Sequence, residues 1–310
     1  MCGIVALLSR PSQRPVPDRS WLLGHLDAAV ASRQQGPAAV AVLLEEVDAA
    51  LKGLPGVQAL VGRPEVGAGI ISRLDQIDAL AIDLERELEG TLHPSAETVE
   101  ALNAALIRLK DAAWAIRNDR LRTAGAVEAL AGRNAGASAL QGYLLVQQAL
   151  SILDRLEVRG RDSAGLHLFV WGHGLDVADP AVSALLEQRS RDPLFVSGAV
   201  RLSGGALSFV YKAAAEIGEL GDNTRNMRAA ISADDILRAA VSVPGARVTV
   251  LGHTRWASVG IISEPNAHPV NSEELDGANG FLSVAVLNGD VDNHVDLRAR
   301  HNLQIGRAHV

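Results

Sequence analysis

The sequence predicts an α+β fold into which an all-α helical module has been inserted. Three observations carry this expectation: a short β-rich apolar run at the N-terminus, a long Ala- and Leu-rich stretch with apolar residues spaced by three and four, and a return to short β-rich runs beyond Ala164. With 310 residues, 48% of them apolar, the chain has interior enough for a substantial core.

Taken in order, Met1 to Leu8 reads as a buried strand, ended by the Pro- and Ser-containing linker Pro11 to Pro17. Asp18 or Ser20 is placed to cap a helix carrying Leu22, Leu23, Leu26 and Val30, and Pro37 to open a second that stops at Gly53. A third helix is expected from about Ile70 to Leu88, where Ile70, Leu74, Ile77, Leu80, Leu84 and Leu88 share one face and Gly90 follows. Ser95 caps a fourth, with Val99, Leu102, Leu106, Leu109 and Ala113. A Gly/Asn break at Gly132 to Gly136 precedes a last helix, Ala139 to Leu156. Nothing in this block gathers reactive side chains, so it is expected to be a packed bundle or helical hairpin. Strands are then expected at Gly165 to Val170, Gly205 to Tyr211, Arg247 to Leu251 and Phe281 to Leu287, with a helix at Ala233 to Ala240.

Composition removes several functions. Aromatics make up 3% of the chain and the net charge is -7, with no basic tract, so a stacking or phosphate-binding nucleic-acid surface is not expected. The apolar stretch Ile4 to Leu8 is too short to span a membrane and lacks the preceding charges of a signal peptide. A single cysteine forms no internal disulfide or Cys-rich metal site, which fits a cytoplasmic protein.

That cysteine, Cys2, follows the initiator Met1 and would become the N-terminal residue once Met1 is trimmed. An α-amino group titrates at about 7.7 to 8.0, so near neutrality it could serve as base for the thiol of its own residue. The same position suits a buried strand cysteine. Arg159 to Gly165 joins a helix to a strand, with glycines for a tight turn and an Asp162/Ser163 pair able to tie down amides; alone it is a loop. Gly252 to Ser258 follows a strand and offers Arg255, whose planar fork suits a carboxylate, though a surface Arg beside a packed Trp looks the same. Asn288-Gly289 could direct an amide NH2 and a backbone N–H at one oxygen, but Asn-Gly is also a common tight turn.

Together and in this order, Cys2-Gly3-Ile4-Val5, Leu156 to Gly165, His253 to Ala257, Asn266-Ala267-His268-Pro269, and Asn288-Gly289 with Asn293 resemble the class II glutamine amidotransferase domain of the N-terminal-nucleophile hydrolases. Within that class, Asp-Ser-Ala-Gly and Thr-Arg-Trp-Ala look most like the glutaminase half of the glucosamine-6-phosphate synthases. The resemblance covers residues 1–10 and 150–304, leaving 18–149 as the helical insertion, and implies an αββα sandwich, incomplete at the C-terminus. It implies Cys2 as nucleophile, Asn288 and Gly289 as oxyanion donors, and Arg255, Trp256 and Ser258 as glutamine-binding residues, with Trp256 a candidate gate. Arg159, Asp162 and His268 become structural supports, and no metal or cofactor is called for. Glutamine is the implied substrate, fructose 6-phosphate the acceptor in the whole enzyme, and a homodimer through C-terminal sugar isomerase domains the implied assembly. Arg161, Val259 and Leu287 stand where the family usually has Tyr, His and His.

Two other readings stay open: an amidophosphoribosyltransferase-like glutaminase, and a non-catalytic interaction module on a degenerate hydrolase core. The last six residues, Ile305 to Val310, correspond to one frame of a common sequencing-library adapter. Residues 305–310 are therefore expected to be a non-native tail, and the chain as it stands is expected to be inactive alone, since the family's ammonium-binding aspartate would fall beyond Val310.

Overall fold

The computed structural model describes residues 2–10, 12–90, 96–190, 195–214, 219–256, 261–272, 282–289 and 291–301. Met1, Ser95, Ser258, Val259, Phe281 and the tail 305–310 lie outside the described residues. The chain divides into two compact units, Pro11–Asn134 and a second made of Met1–Arg10 with Ala135–Val310.

The chain opens with strand β1 (Gly3–Leu8) and then enters the helical unit, whose elements are α1 (Arg19–Ala31), α2 (Pro37–Ala50), α3 (Leu54–Leu60), α4 (Pro64–Gly90), α5 (Ala96–Trp114) and α6 (Arg122–Ala131). Asp18 caps α1, its carboxylate accepting from the amides of Ser20 (2.6 Å) and Trp21 (3.4 Å). Gly36, at a φ of 89°, turns the chain so that Pro37 occupies the first turn of α2. Helix α2 ends at Ala50, just before the expected stop at Gly53; Gly53, at a φ of 71°, then caps α3, a short helix with Pro55 in its first turn that the sequence reading did not include. On α4 the three-and-four spacing buries Val66, Ile70, Leu74, Ile77 and Leu80 against Leu22, Leu26, Leu44, Leu109 and Ile116. Helices α5 and α6 are joined without a break by a π-helical segment, Ala115–Leu121, within which Arg120 holds the largely buried Asp48 at 2.8 Å.

The other unit continues with α7 (Ala137–Leu156), β2 (Ser163–Trp171), α8 (Pro180–Ser190), β3 (Val200–Ser203), β4 (Ala206–Ala213), α9 (Asp222–Ser232), α10 (Asp235–Ser242), β5 (Arg247–Arg255), β6 (Val270–Asn271), β7 (Val284–Ala285) and α11 (His294–His301). Five strands form an antiparallel sheet in the order β1-β5-β2-β4-β3, and β6 and β7 form a separate two-residue ladder. Strand side chains alternate between faces, and one face, carrying Val5, Leu166, Leu168, Val170, Phe209, Val248 and Val250, is buried. Helix α7 lies on that face. A Cβ on its Gly142 would stand 2.9 Å from Val248, and one on Gly252 of β5 would meet Val5 at 2.7 Å and Leu153 of α7 at 3.3 Å.

This packing moves the expected boundary. The helical block was expected to run to residue 149, but α7 belongs with the sheet, because its apolar face is filled by β1 and β5, and the separate helical unit ends at Asn134. Among the described residues, the strand expected from Phe281 to Leu287 is confined to Val284–Ala285. Helix α9 escapes the sequence reading because half of what it buries is polar, Asn223 and Thr224 beside Met227 and Ile231, and α8 because it buries no residue. Its anchor is polar, with Arg189 donating to the Asp234 carboxylate at 2.8 and 2.5 Å while Tyr211 donates to the same group at 2.7 Å.

Candidate active site

Pairing of β5 with strands on both sides builds the site. Gly3 stands opposite Thr254 and Ile4 opposite His253 on the β1 side; Ser163 stands opposite Arg255 and Gly165 opposite His253 on the β2 side. Cys2, one step before Gly3, therefore comes to the same end of the sheet as Arg255 and Ser163. The amide of Gly3 donates to the Thr254 hydroxyl at 3.1 Å, fixing that end of β1. Cβ vectors at Gly3 and Gly252 point at Leu156 and Leu153 of α7, so by alternation Cys2, Ile4, His253 and Arg255 belong to the opposite face. His253 to Arg255 were expected to follow a strand; they lie within β5, because ladder pairing runs on to Arg255.

The loop between α7 and β2 is tied to the same place. The Asp162 amide donates to the Arg255 carbonyl at 3.1 Å, and a Cβ on Gly160 would stand 2.9 Å from the Arg255 backbone, so only glycine permits this approach. Arg159 is exposed and Asp162 half-buried. Behind the loop, Glu157 is buried and accepts from the Gly221 amide at 2.6 Å, while Asn223 of α9 donates to the Arg161 carbonyl at 2.8 Å. Burial pushes the Glu157 carboxyl upward.

Two further segments cover the face beside His253. A Cβ on Gly165 would fall 2.2 Å from the His268 carbonyl, so the 266–269 loop rests directly on β2. Arg255 donates to the Asn266 carbonyl at 3.3 Å. His253 donates Nε2–H to the Leu287 carbonyl at 3.0 Å, immediately before Asn288-Gly289, and lies edge-on to His268 with ring centroids 4.5 Å apart. Asn288 and Gly289 are exposed, and Trp256 is 54% exposed. Cys2, Arg255, Asp162 and His268 are thus gathered at one end of the sheet, with the Asn288-Gly289 pair leashed to it through Leu287; Ser258 lies outside the described residues.

Two residues were missed by the sequence reading. Ser163 was assigned to tying down amides, but its buried hydroxyl makes no hydrogen bond among the described residues, and it stands opposite Arg255 in the row that Cys2 enters. His253 was read only as part of a motif. Alternation with Arg255, two residues on, would have placed it on the same face. Among the described residues no group of His, Cys, Asp and Glu is arranged to hold a metal ion, and no helix is long and apolar enough to cross a membrane.

Burial pushes His253 down to about 4 and, in the next row, His167 down to about 3. Both are depressed from 6.5, so below that pH the unfolded chain takes up protons that the folded unit refuses, and stability falls with pH until the folded values are reached. At pH 5 each histidine should have cost on the order of 2 kcal/mol, a large part of a typical net stability. Glu157, raised by burial, acts in the opposite direction. Urea unfolding at pH 7 and pH 5 should show a clearly lower midpoint at pH 5; equal midpoints would mean that these rings accept protons in place.

Comparison with known proteins finds a likeness confined to a short stretch of the chain. Across 72 residues, 22% of the chain, it is 42% identical to the glutamine–fructose-6-phosphate aminotransferase (isomerizing) of Streptococcus mutans serotype c, and the matched stretch spans 11% of that relative. No model of a known protein family matches the chain, and no solved structure does.

Proposed function

We propose that the unit containing β1 is a class II glutamine amidotransferase domain with an N-terminal-nucleophile hydrolase fold, releasing ammonia from glutamine to aminate fructose 6-phosphate. The observation that carries this reading is the register of β5, which brings the flank of Cys2, the fork of Arg255 and the 159–162 loop to one end of the sheet.

With Met1 removed, the free amine of Cys2 takes the thiol proton and the thiolate attacks the carboxamide carbon of glutamine. The tetrahedral oxyanion receives hydrogen bonds from the Asn288 side chain and the Gly289 amide. Collapse breaks the C–N bond, the amine returns its proton to the departing nitrogen, and ammonia leaves a glutamyl thioester on Cys2. Water then hydrolyses the thioester to glutamate and restores the thiol. Arg255 holds the substrate carboxylate throughout, in ground state and transition state alike.

Arg255→Ala should consequently raise KM for glutamine about tenfold to a hundredfold, corresponding to roughly 1.5 to 3 kcal/mol for a charge-assisted contact, with kcat little changed. Glutaminase kinetics of the intact gene product, made with and without retained Met1, test the reading. Glutamate release only from protein whose mass shows Cys2 at the N-terminus supports it, and equal rates with Met1 retained overturn it.

A further inference from the structure

His253 has no side-chain exposure, yet it carries a polar ring that burial penalises. A buried histidine is held in the neutral form, and its tautomer is set by what its nitrogens meet. Here the Leu287 carbonyl can only accept, so Nε2 bears the hydrogen, and the buried Nδ1 has no partner among the described residues. His268 Nδ1, 3.4 Å from Nε2, is a second group on the same side. An apolar side chain of similar size would fill the space without desolvating a nitrogen, so what the ring supplies is its Nε2–H.

Among the described residues, β7 is tied to β6 at Val284 and Ala285 and by the Ser272 amide, which donates to the Ser283 carbonyl at 3.0 Å, whereas Leu287, Asn288 and Gly289 are exposed, so apolar burial does little to hold these three residues. The hydrogen bond from His253 joins that segment to β5, one residue before Asn288 and at the ladder position shared with Ile4 and Gly165. The missing side chain at Gly165 lets the 266–269 loop settle beside the ring and holds its edge.

We propose that His253 is a positioning residue that fixes Asn288-Gly289 against β5 through the Leu287 carbonyl and so sets the oxyanion site facing Cys2. The proposal rests on the glutaminase reading for its chemical consequence, but the clamp itself can be observed separately. In the intact gene product, carbon-labelled leucine with nitrogen-labelled asparagine reports the Leu–Asn peptides, among them Leu287–Asn288, whose signal is assigned by its loss in Leu287→Val, and Leu102–Asn103, which serves as internal reference. In His253→Leu the first signal should move while the reference stays, and kcat for glutamine hydrolysis should fall about tenfold to a hundredfold with KM within about twofold. His253→Gln, which keeps an N–H at similar reach, should restore both. An unmoved Leu287–Asn288 signal, or a loss lying wholly in KM, would overturn the proposal. If His253→Leu does not fold, His253→Gln decides: near-parental kcat supports the clamp, and a folded but slow protein overturns it. If the parent protein releases no glutamate while the peptide signal still responds, the glutaminase reading falls and the clamp stands.

Discussion

Cys2→Ala should reduce glutamine hydrolysis to background while the fold persists. Cys2 precedes the first paired residue of β1, and the Gly3 amide and the ladder to β5 hold that end of the strand without help from the thiol. Removing sulfur therefore deletes the nucleophile at little structural cost. The measurement is glutamate release together with unfolding midpoint, and an electrophilic glutamine analogue should add its mass to the parent at Cys2 and leave the variant unmodified. Release at the parental rate from the alanine variant would move the nucleophile elsewhere.

Asn288→Ala should lower kcat by about a hundredfold or more, with KM nearly unchanged, because an oxyanion donor acts on charge that exists only in the transition state. The exposed Asn288 side chain fills no core space, so the variant should retain parental stability. This separates it from Arg255→Ala, whose effect belongs in KM. A variant of Asn288 with parental kcat would make the dipeptide a turn and nothing more.

Much of the helical unit was legible because helices announce themselves locally. Asp18, Pro37 and the apolar stripe from Ile70 to Leu80 each act within one or two turns, and each did so. The misreadings occur where distant packing decides. Leu54-Pro55-Gly56 has the composition of a turn, yet Pro55 sits in a first helical turn; α7 has the periodicity of its neighbours in sequence but is claimed by a sheet whose strands lie far along the chain. At the site, residue types could be singled out by motif, whereas their rows could not. That Ser163 shares a face with His253 and Arg255 depends on the register between β5 and β2, which no local signal encodes. Arg189 and Asp234 likewise look like surface charges until the fold brings them together.

The edge position of β1 has a consequence during synthesis. Gly3 and its partner Thr254 are 251 residues apart, and at ribosomal rates of about 5 to 20 residues per second the partner is made roughly 10 to 50 s later. Throughout that interval the Gly-Ile-Val-Ala-Leu-Leu segment has no ladder to join, while the helical unit translated behind it can complete its own core. The nascent chain thus carries an unpaired, β-prone segment ahead of a folded body, open to pairing with other exposed strands. Slowing translation between the two partners should lengthen that exposure and lower the soluble yield, whereas the same slowing after Arg255 should not.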